Sequence, residues 1–184
     1  SSFVLAPLRL AAALCLVAAP ARAALDFPAL TAVSGEWTAT SPAEPGLWRG
    51  ERGLALGPGS HGDFGVTVRL RLDDLRYQAR IPQAGVAFAA SGRRDHAGVV
   101  FDRNTGRLQL VHVVENRSRP LAVSERHAIL PLHEWVWLRV TRRGAELGAA
   151  LSFDGVSFDE YLRADLPAEI GAGRLGLIAD LPAA

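Results

Sequence analysis

The sequence predicts an all-β chain folded as a two-sheet antiparallel sandwich, and three observations predict it. Apolar residues recur at every second position. In Asp63 to Asp73, Phe64, Val66, Val68, Leu70 and Leu72 fall on one face, and Thr67, Arg69 and Arg71 on the other. Turn residues separate such runs at intervals of roughly 8–12 residues, the spacing of sandwiches and barrels. No segment sustains a helical period; Ser157 to Arg163 suits a single helical turn at most.

Residues 1–23 read as an export signal. Arg9 precedes the apolar run Leu10 to Ala19, and Ala21-Arg22-Ala23 places small residues where a signal peptidase reads them. The run is shorter than the about 20 apolar residues that span a bilayer. Cleavage after Ala23 is therefore expected, with a secreted or periplasmic product that has no membrane span and in which residues 24–184 form one β-sandwich domain. Cys15, the only cysteine, leaves with the signal. The domain must then be held by its own core, without disulfide or cysteine-bound metal.

The strands follow in order. A first one lies near Gly35 to Thr38, in a stretch rich in Ala, Thr, Ser and Pro, and a short one spans Arg52 to Leu56. After the alternating run from Asp63 come Gly85 to Ala90, Ala97 to Asp102 and Arg107 to Val114. The last two are joined by Arg103-Asn104-Thr105-Gly106, whose asparagine and glycine tolerate positive φ. Shorter runs lie near Leu121 to Ser124 and Ala128 to Leu130. Glu134 to Gly155 reads as two strands joined at Arg142-Arg143-Gly144, with a second turn at Asp154-Gly155. Val136, Leu138 and Val140 mark its buried face, and Trp137 and Arg139 share the other. Gly173 to Ala179 closes the fold.

Charge narrows the function. Removing the signal takes Arg9 and Arg22 from the 20 basic residues, leaving 18 against 19 acidic ones, a formal −1. Nucleic-acid binding needs a concentrated positive surface, which this balance does not supply. All basic residues are arginine, and alanine and glycine abound, a composition typical of a high-GC bacterial genome.

The order of elements resembles the concanavalin A-like lectin and glucanase superfamily, and within it the bacterial extracellular modules related to laminin-G domains. Gly53-Leu54-Ala55-Leu56 with Asp63-Phe64 resembles the first paired strands. Gly85-Val86-Ala87-Phe88 with Val99-Val100-Phe101-Asp102 resembles the central hairpin. Trp135, Leu138, Arg139 and Val140 resemble the strand that begins with tryptophan, Ser152-Phe153-Asp154-Gly155 the turn after it, and Gly173 to Leu177 the closing strand. The resemblance spans about residues 32–180 and implies a jelly roll of two curved antiparallel sheets. That fold hosts lectins, hydrolases and spacer modules alike.

Hydrolases of this superfamily carry alternating acids on one strand, and glycoside cleavage needs two facing carboxylates. No strand here has that pattern. Asp154, Asp159 and Glu160 gather around a turn, while Asp73 and Asp74 are adjacent and point to opposite faces. No catalytic residue is assigned. The five histidines, His61, His96, His112, His127 and His133, have no metal-ligand spacing. No metal site or cofactor is assigned either; calcium stays open, with Asp102, Asp154 and Asp180 as candidates that serve equally as turn or cap residues.

Sugar binding uses a flat aromatic face beside fixed hydrogen-bond donors. Trp137, Arg139, Arg69, Arg71 and Gln109 are expected to share a solvent-facing sheet, with Trp48 bordering it from a loop. The alternative for Trp137 is packing beneath a loop, with the arginines only solubilising the sheet. Trp37 and Trp135 are expected in the core, which requires Trp135 to sit at the strand entry before alternation begins. The expected function is non-catalytic binding of a carbohydrate or cell-surface glycan. The alternatives are a glycoside hydrolase-like enzyme and a structural module that docks an envelope protein.

Overall fold

The computed structural model describes residues 10–14, 31–34, 37–39, 47–50, 53–72, 83–91, 95–102, 105–115, 117–129 and 134–179. Among them are fourteen strands and no helix. In chain order these are β1 (Leu10–Leu14), β2 (Thr31–Ser34), β3 (Trp37–Ala39), β4 (Leu47–Gly50), β5 (Gly53–Leu56), β6 (Phe64–Leu72) and β7 (Gln83–Ala90). The remainder are β8 (His96–Asp102), β9 (Arg107–Val114), β10 (Arg117–Val123), β11 (Trp135–Arg143), β12 (Glu146–Ser152), β13 (Asp159–Asp165) and β14 (Arg174–Ala179). They form two seven-stranded antiparallel sheets, ordered β13-β12-β11-β6-β1-β4-β3 and β10-β9-β8-β7-β14-β5-β2.

The core lies between the sheets. β6 and β11 pair from Trp135 opposite Arg71 to Arg142 opposite Phe64. This register aligns Val66, Val68 and Leu70 with Val140, Leu138 and Val136 on one face. β12 adds Leu147, Ala149 and Leu151, and β13 adds Leu162. The second sheet answers with Ala84, Val86 and Phe88, Val99 and Phe101, Leu108 and Leu110, and Leu175 and Leu177. Phe64 and Phe88 meet across the interface with ring centroids 5.6 Å apart. Each large side chain buried this way contributes about 1.5–3 kcal/mol, so the alternating pattern both makes the strands and joins the sheets.

The second sheet also has buried residues on its other face, where Leu54, Leu56, Ala87, Val100, Val111 and Ile178 form a further cluster. All seven residues of β8 are consequently buried, and its sequence reads as a continuous run instead of an alternation. Gly98 belongs to this crowding: a Cβ there would stand 2.4 Å from Ile178 Cδ1.

Three expectations change. Ser157 to Arg163 is no helical turn, because from Asp159 it enters the edge strand β13, with Leu162 and Ala164 facing inward and charged residues outward. The run expected at Leu121 to Ser124 begins earlier, at Arg117, as edge strand β10. Its Pro120 sits beside a register shift, where a missing N–H is tolerated. Ala128 and Ile129 are not strand; Ala128 instead donates its N–H to the Gly106 carbonyl at 2.7 Å.

Arg142, expected in a turn, follows the inward parity of Val140 and is buried. Its guanidinium donates to the carbonyls of Gly144 (3.0 Å), Gly171 (2.7 Å) and Ile170 (2.8 Å), tying the 170–171 loop to the β11–β12 hairpin. β1 lies within the segment expected as an export signal, paired to β6 and β4.

His96 in β8 is buried, and neither ring nitrogen has a hydrogen-bond partner. Burial, reinforced by nearby His112 and opposed by Asp95, lowers its pKa from 6.5 to about 4. The unfolded chain therefore takes up a proton near pH 6.5 that the folded chain refuses until about pH 4. Stability from this group is complete above pH 6.5 and falls as pH drops toward 4, by up to roughly 3 kcal/mol. Urea unfolding at several pH values should show this loss in the native protein and its absence in His96→Leu. Parallel curves for the two proteins would contradict it.

Candidate functional site

The outer face of the first sheet is built from the positions between the core residues. Strand register arranges them in rows: Trp135 with Arg71, then Ser152, Trp137 and Arg69, then Ala150, Arg139 and Thr67, then Gly148, Thr141 and Gly65. Because strand alternation is uninterrupted, Trp135 shares this face with Trp137. The expected core position for Trp135 is thus corrected: it is half-buried on the outer face, not packed between the sheets.

Arg69 joins the two indoles. Its guanidinium carbon lies 4.2 Å from the Trp135 ring centroid and 5.1 Å from that of Trp137. Arg139 stacks on Phe158 at 3.6 Å, and its Nε donates a long hydrogen bond to Thr67 Oγ1 at 3.4 Å. Such partly desolvated cation–π contacts are worth about 1–2 kcal/mol each. They hold both guanidinium groups over aromatic rings.

The β12–β13 turn closes over this cluster. Asp154 Oδ1 accepts hydrogen bonds from the N–H groups of Val156 and Ser157 and from the Ser152 hydroxyl, all at 2.8 Å. The Gly155 N–H donates to Ser152 Oγ at 2.9 Å. These donors, Val156 first, lower the Asp154 pKa from 3.8 to about 2. Gly155 takes φ +77°, and a Cβ on it would stand 3.0 Å from Trp137 Cε2. The turn is therefore seated on the indole, and Phe153 and Val156 are left exposed at its tip.

Beyond Gly148 and Ala150, Arg163 of β13 donates from Nε and Nη2 to the two carboxylate oxygens of Glu160 at 3.0 and 2.9 Å, and also pairs with Glu146. Arg163 holds the Glu160 carboxyl below its usual range. Asp159 pairs instead with Arg126 at 3.7 Å. The acids expected around this turn are thus divided among separate partners, and none stands on β6 or β11. Asp73 and Asp74 lie outside the described residues.

Of the expected binding residues, Trp137, Arg139, Arg69 and Arg71 are brought together on adjacent strands. Gln109 is not. It belongs to β9 in the other sheet, where its Nε2 donates to Asp102 Oδ2 at 2.8 Å. Trp48 lies in β4 instead of a loop, paired with Ala12 of β1. Phe158 was missed; its signal is an aromatic residue directly after the Asp154-Gly155 turn. Among the described residues no three His, Cys, Asp or Glu side chains group to hold a metal ion. The calcium candidates Asp102 and Asp154 are engaged in the hydrogen bonds given above, and Asp180 lies outside the described residues.

The sequence matches no protein family and no curated protein. Its fold has solved counterparts. A carbohydrate binding module, CBM66 from Bacillus subtilis, superposes with a TM-score of 0.66 at 16% identity, over 82% of this chain and 88% of that one. The GH43 protein BlXynB from Bacillus licheniformis gives 0.53 at 14% identity over 78% of this chain, and a xylan β-1,4-xylosidase from Bacillus halodurans 0.52 at 14% over 90%. This chain spans only 31% and 38% of the lengths of those two proteins. At such identities the likeness shows the fold, a β-sandwich shared with a carbohydrate-binding module.

Gly155→Ala should destabilise the protein by about 1–2 kcal/mol, since a left-handed backbone and the Trp137 ring both oppose a Cβ. Chemical unfolding measures this, and tryptophan emission should shift with it. An unchanged midpoint would mean the turn does not rest on the indole.

Proposed function

We infer that this chain is a secreted or periplasmic module that binds a carbohydrate or cell-surface glycan without cleaving it, on a jelly-roll sandwich of the concanavalin A-like kind. The observation that carries this reading is the pair of indoles bridged by Arg69 on one sheet face, flanked by Arg139 on Phe158. Sugar rings present apolar C–H faces that stack on indoles, and their hydroxyls accept hydrogen bonds from guanidinium edges. Hydrolysis would require two converging carboxylates. The strands that carry the aromatic cluster, β6 and β11, contain none. The shared fold of a solved carbohydrate binding module supports the same reading.

Titration with a panel of soluble polysaccharides, followed by tryptophan emission, tests it. At least one glycan should shift the emission, and Trp137→Ala should weaken its binding tenfold or more, about 1.4 kcal/mol. Silence across the panel, or an unchanged affinity in the variant, would contradict binding at this face.

Export makes a separate prediction. Intact mass of the protein recovered from the periplasm or medium should place its first residue at Ala24; a product that retains residues 1–23 would refute cleavage. Cleavage would remove β1, whose Ala11 and Ala13 pair with Arg71 and Arg69. The β6 edge beside the aromatic cluster would then be free.

A further inference from the structure

Six arginines elsewhere in the described residues have partners, while Arg117 and Arg143 are exposed to solvent. Arg142 and Arg174 donate to backbone carbonyls, and Arg107 to His127. Arg163, Arg119 and Arg126 pair with acids. The two half-buried arginines of the aromatic face differ. Arg69 Nε is buried with no hydrogen-bond partner, and Arg139 has only the 3.4 Å contact to Thr67. No carboxylate among the described residues lies within ion-pair distance of either. The acids closest along the sheet are occupied: Glu160 and Glu146 by Arg163, and Asp154 Oδ1 by its own turn. Arg71 stands two positions from Arg69 on the same strand, beside Trp135 in register.

This concentrates positive charge on one sheet face of a nearly neutral protein. Like charges at such spacing repel, and the aromatic rings offset that cost only in part. A guanidinium lying flat on a ring keeps its N–H edge free for an in-plane acceptor, the geometry of a bidentate carboxylate contact. A neutral sugar would leave the charge uncompensated, whereas a carboxylate borne by a sugar ring would neutralise it while the ring packs on the indoles.

Resting on the glycan-binding reading above, we propose that the ligand is an acidic glycan, with a uronic-acid carboxylate held by Arg139 and Arg69 beside Trp137. Calorimetry with the purified protein tests this on four probes: polygalacturonate, its fully methyl-esterified form, dextran sulfate and neutral xylan. Polygalacturonate should bind at least tenfold tighter than its ester, and tighter than dextran sulfate. Arg139→Gln should remove most of that difference, and so should Arg69→Lys, with thermal melts confirming that both variants fold. Equal affinity for acid and ester, or a preference for xylan, would overturn the acidic ligand while leaving glycan binding intact. Dextran sulfate binding as tightly as polygalacturonate would reduce the site to unspecific charge attraction and overturn it too. Binding of none of the four, nor of any glycan in the wider panel, would overturn both readings.

Discussion

The antiparallel pairing of β6 with β11 is the constraint on which the remainder of the structure depends. It sets Leu138 against Val68 inside the sandwich and, in the adjacent row, Trp137 against Arg69 outside it. The period of two makes these a single decision. A slip of one residue would carry the valines and leucines into solvent and the indoles and guanidiniums into the core. Core packing against β7, β8, β9 and β14 forbids that slip, so hydrophobic burial holds the polar–aromatic face in place at no separate cost. The outer rows are precise because the inner rows are apolar.

Local interactions refine what the register sets up. Arg69 spans two indoles that are two residues apart on one strand, and Phe158 receives Arg139 from the neighbouring turn. That turn is stiff on its own account, because one Asp154 oxygen collects three donors and Gly155 supplies the left-handed residue. The aromatic face is therefore ordered without a ligand, which lowers the entropy that binding must overcome. The side chains that line it are braced by stacking, not by ion pairs. This is why their guanidinium charge remains available.

Much of this was legible in the sequence, and the lapses have physical causes. Uninterrupted alternation in Phe64 to Leu72 and Val136 to Val140 sufficed to place both faces of β6 and β11, and with them Trp137, Arg69, Arg71 and Arg139. Trp135 was misplaced by setting a general preference of tryptophan for the core above its own parity, and the parity won. The edge strand β13 was hidden because an edge needs only Leu162 and Ala164 inward, so its charged positions masked the alternation. Gln109 was assigned to the wrong sheet because alternation fixes the face of a strand, not the sheet that it joins. Arg142 looked like a turn residue because two of the three carbonyls that receive it, those of Ile170 and Gly171, come from a loop remote in sequence. Phe158 escaped for a similar reason: its contact with Arg139 spans a turn that no periodicity describes.

The central claim is that Trp135, Trp137, Arg69 and Arg139 form one ligand-binding face. The most direct measurement is two-dimensional NMR of the labelled protein titrated with an oligosaccharide that it binds, following the indole N–H and arginine Nε–H signals. The account predicts that the signals of Trp135, Trp137, Arg69 and Arg139 move together with one dissociation constant, while the amides around Gln109 and Asp102 on the other sheet stay still. Shifts centred on Gln109 and Asp102, with the Trp137 indole unmoved, would contradict it.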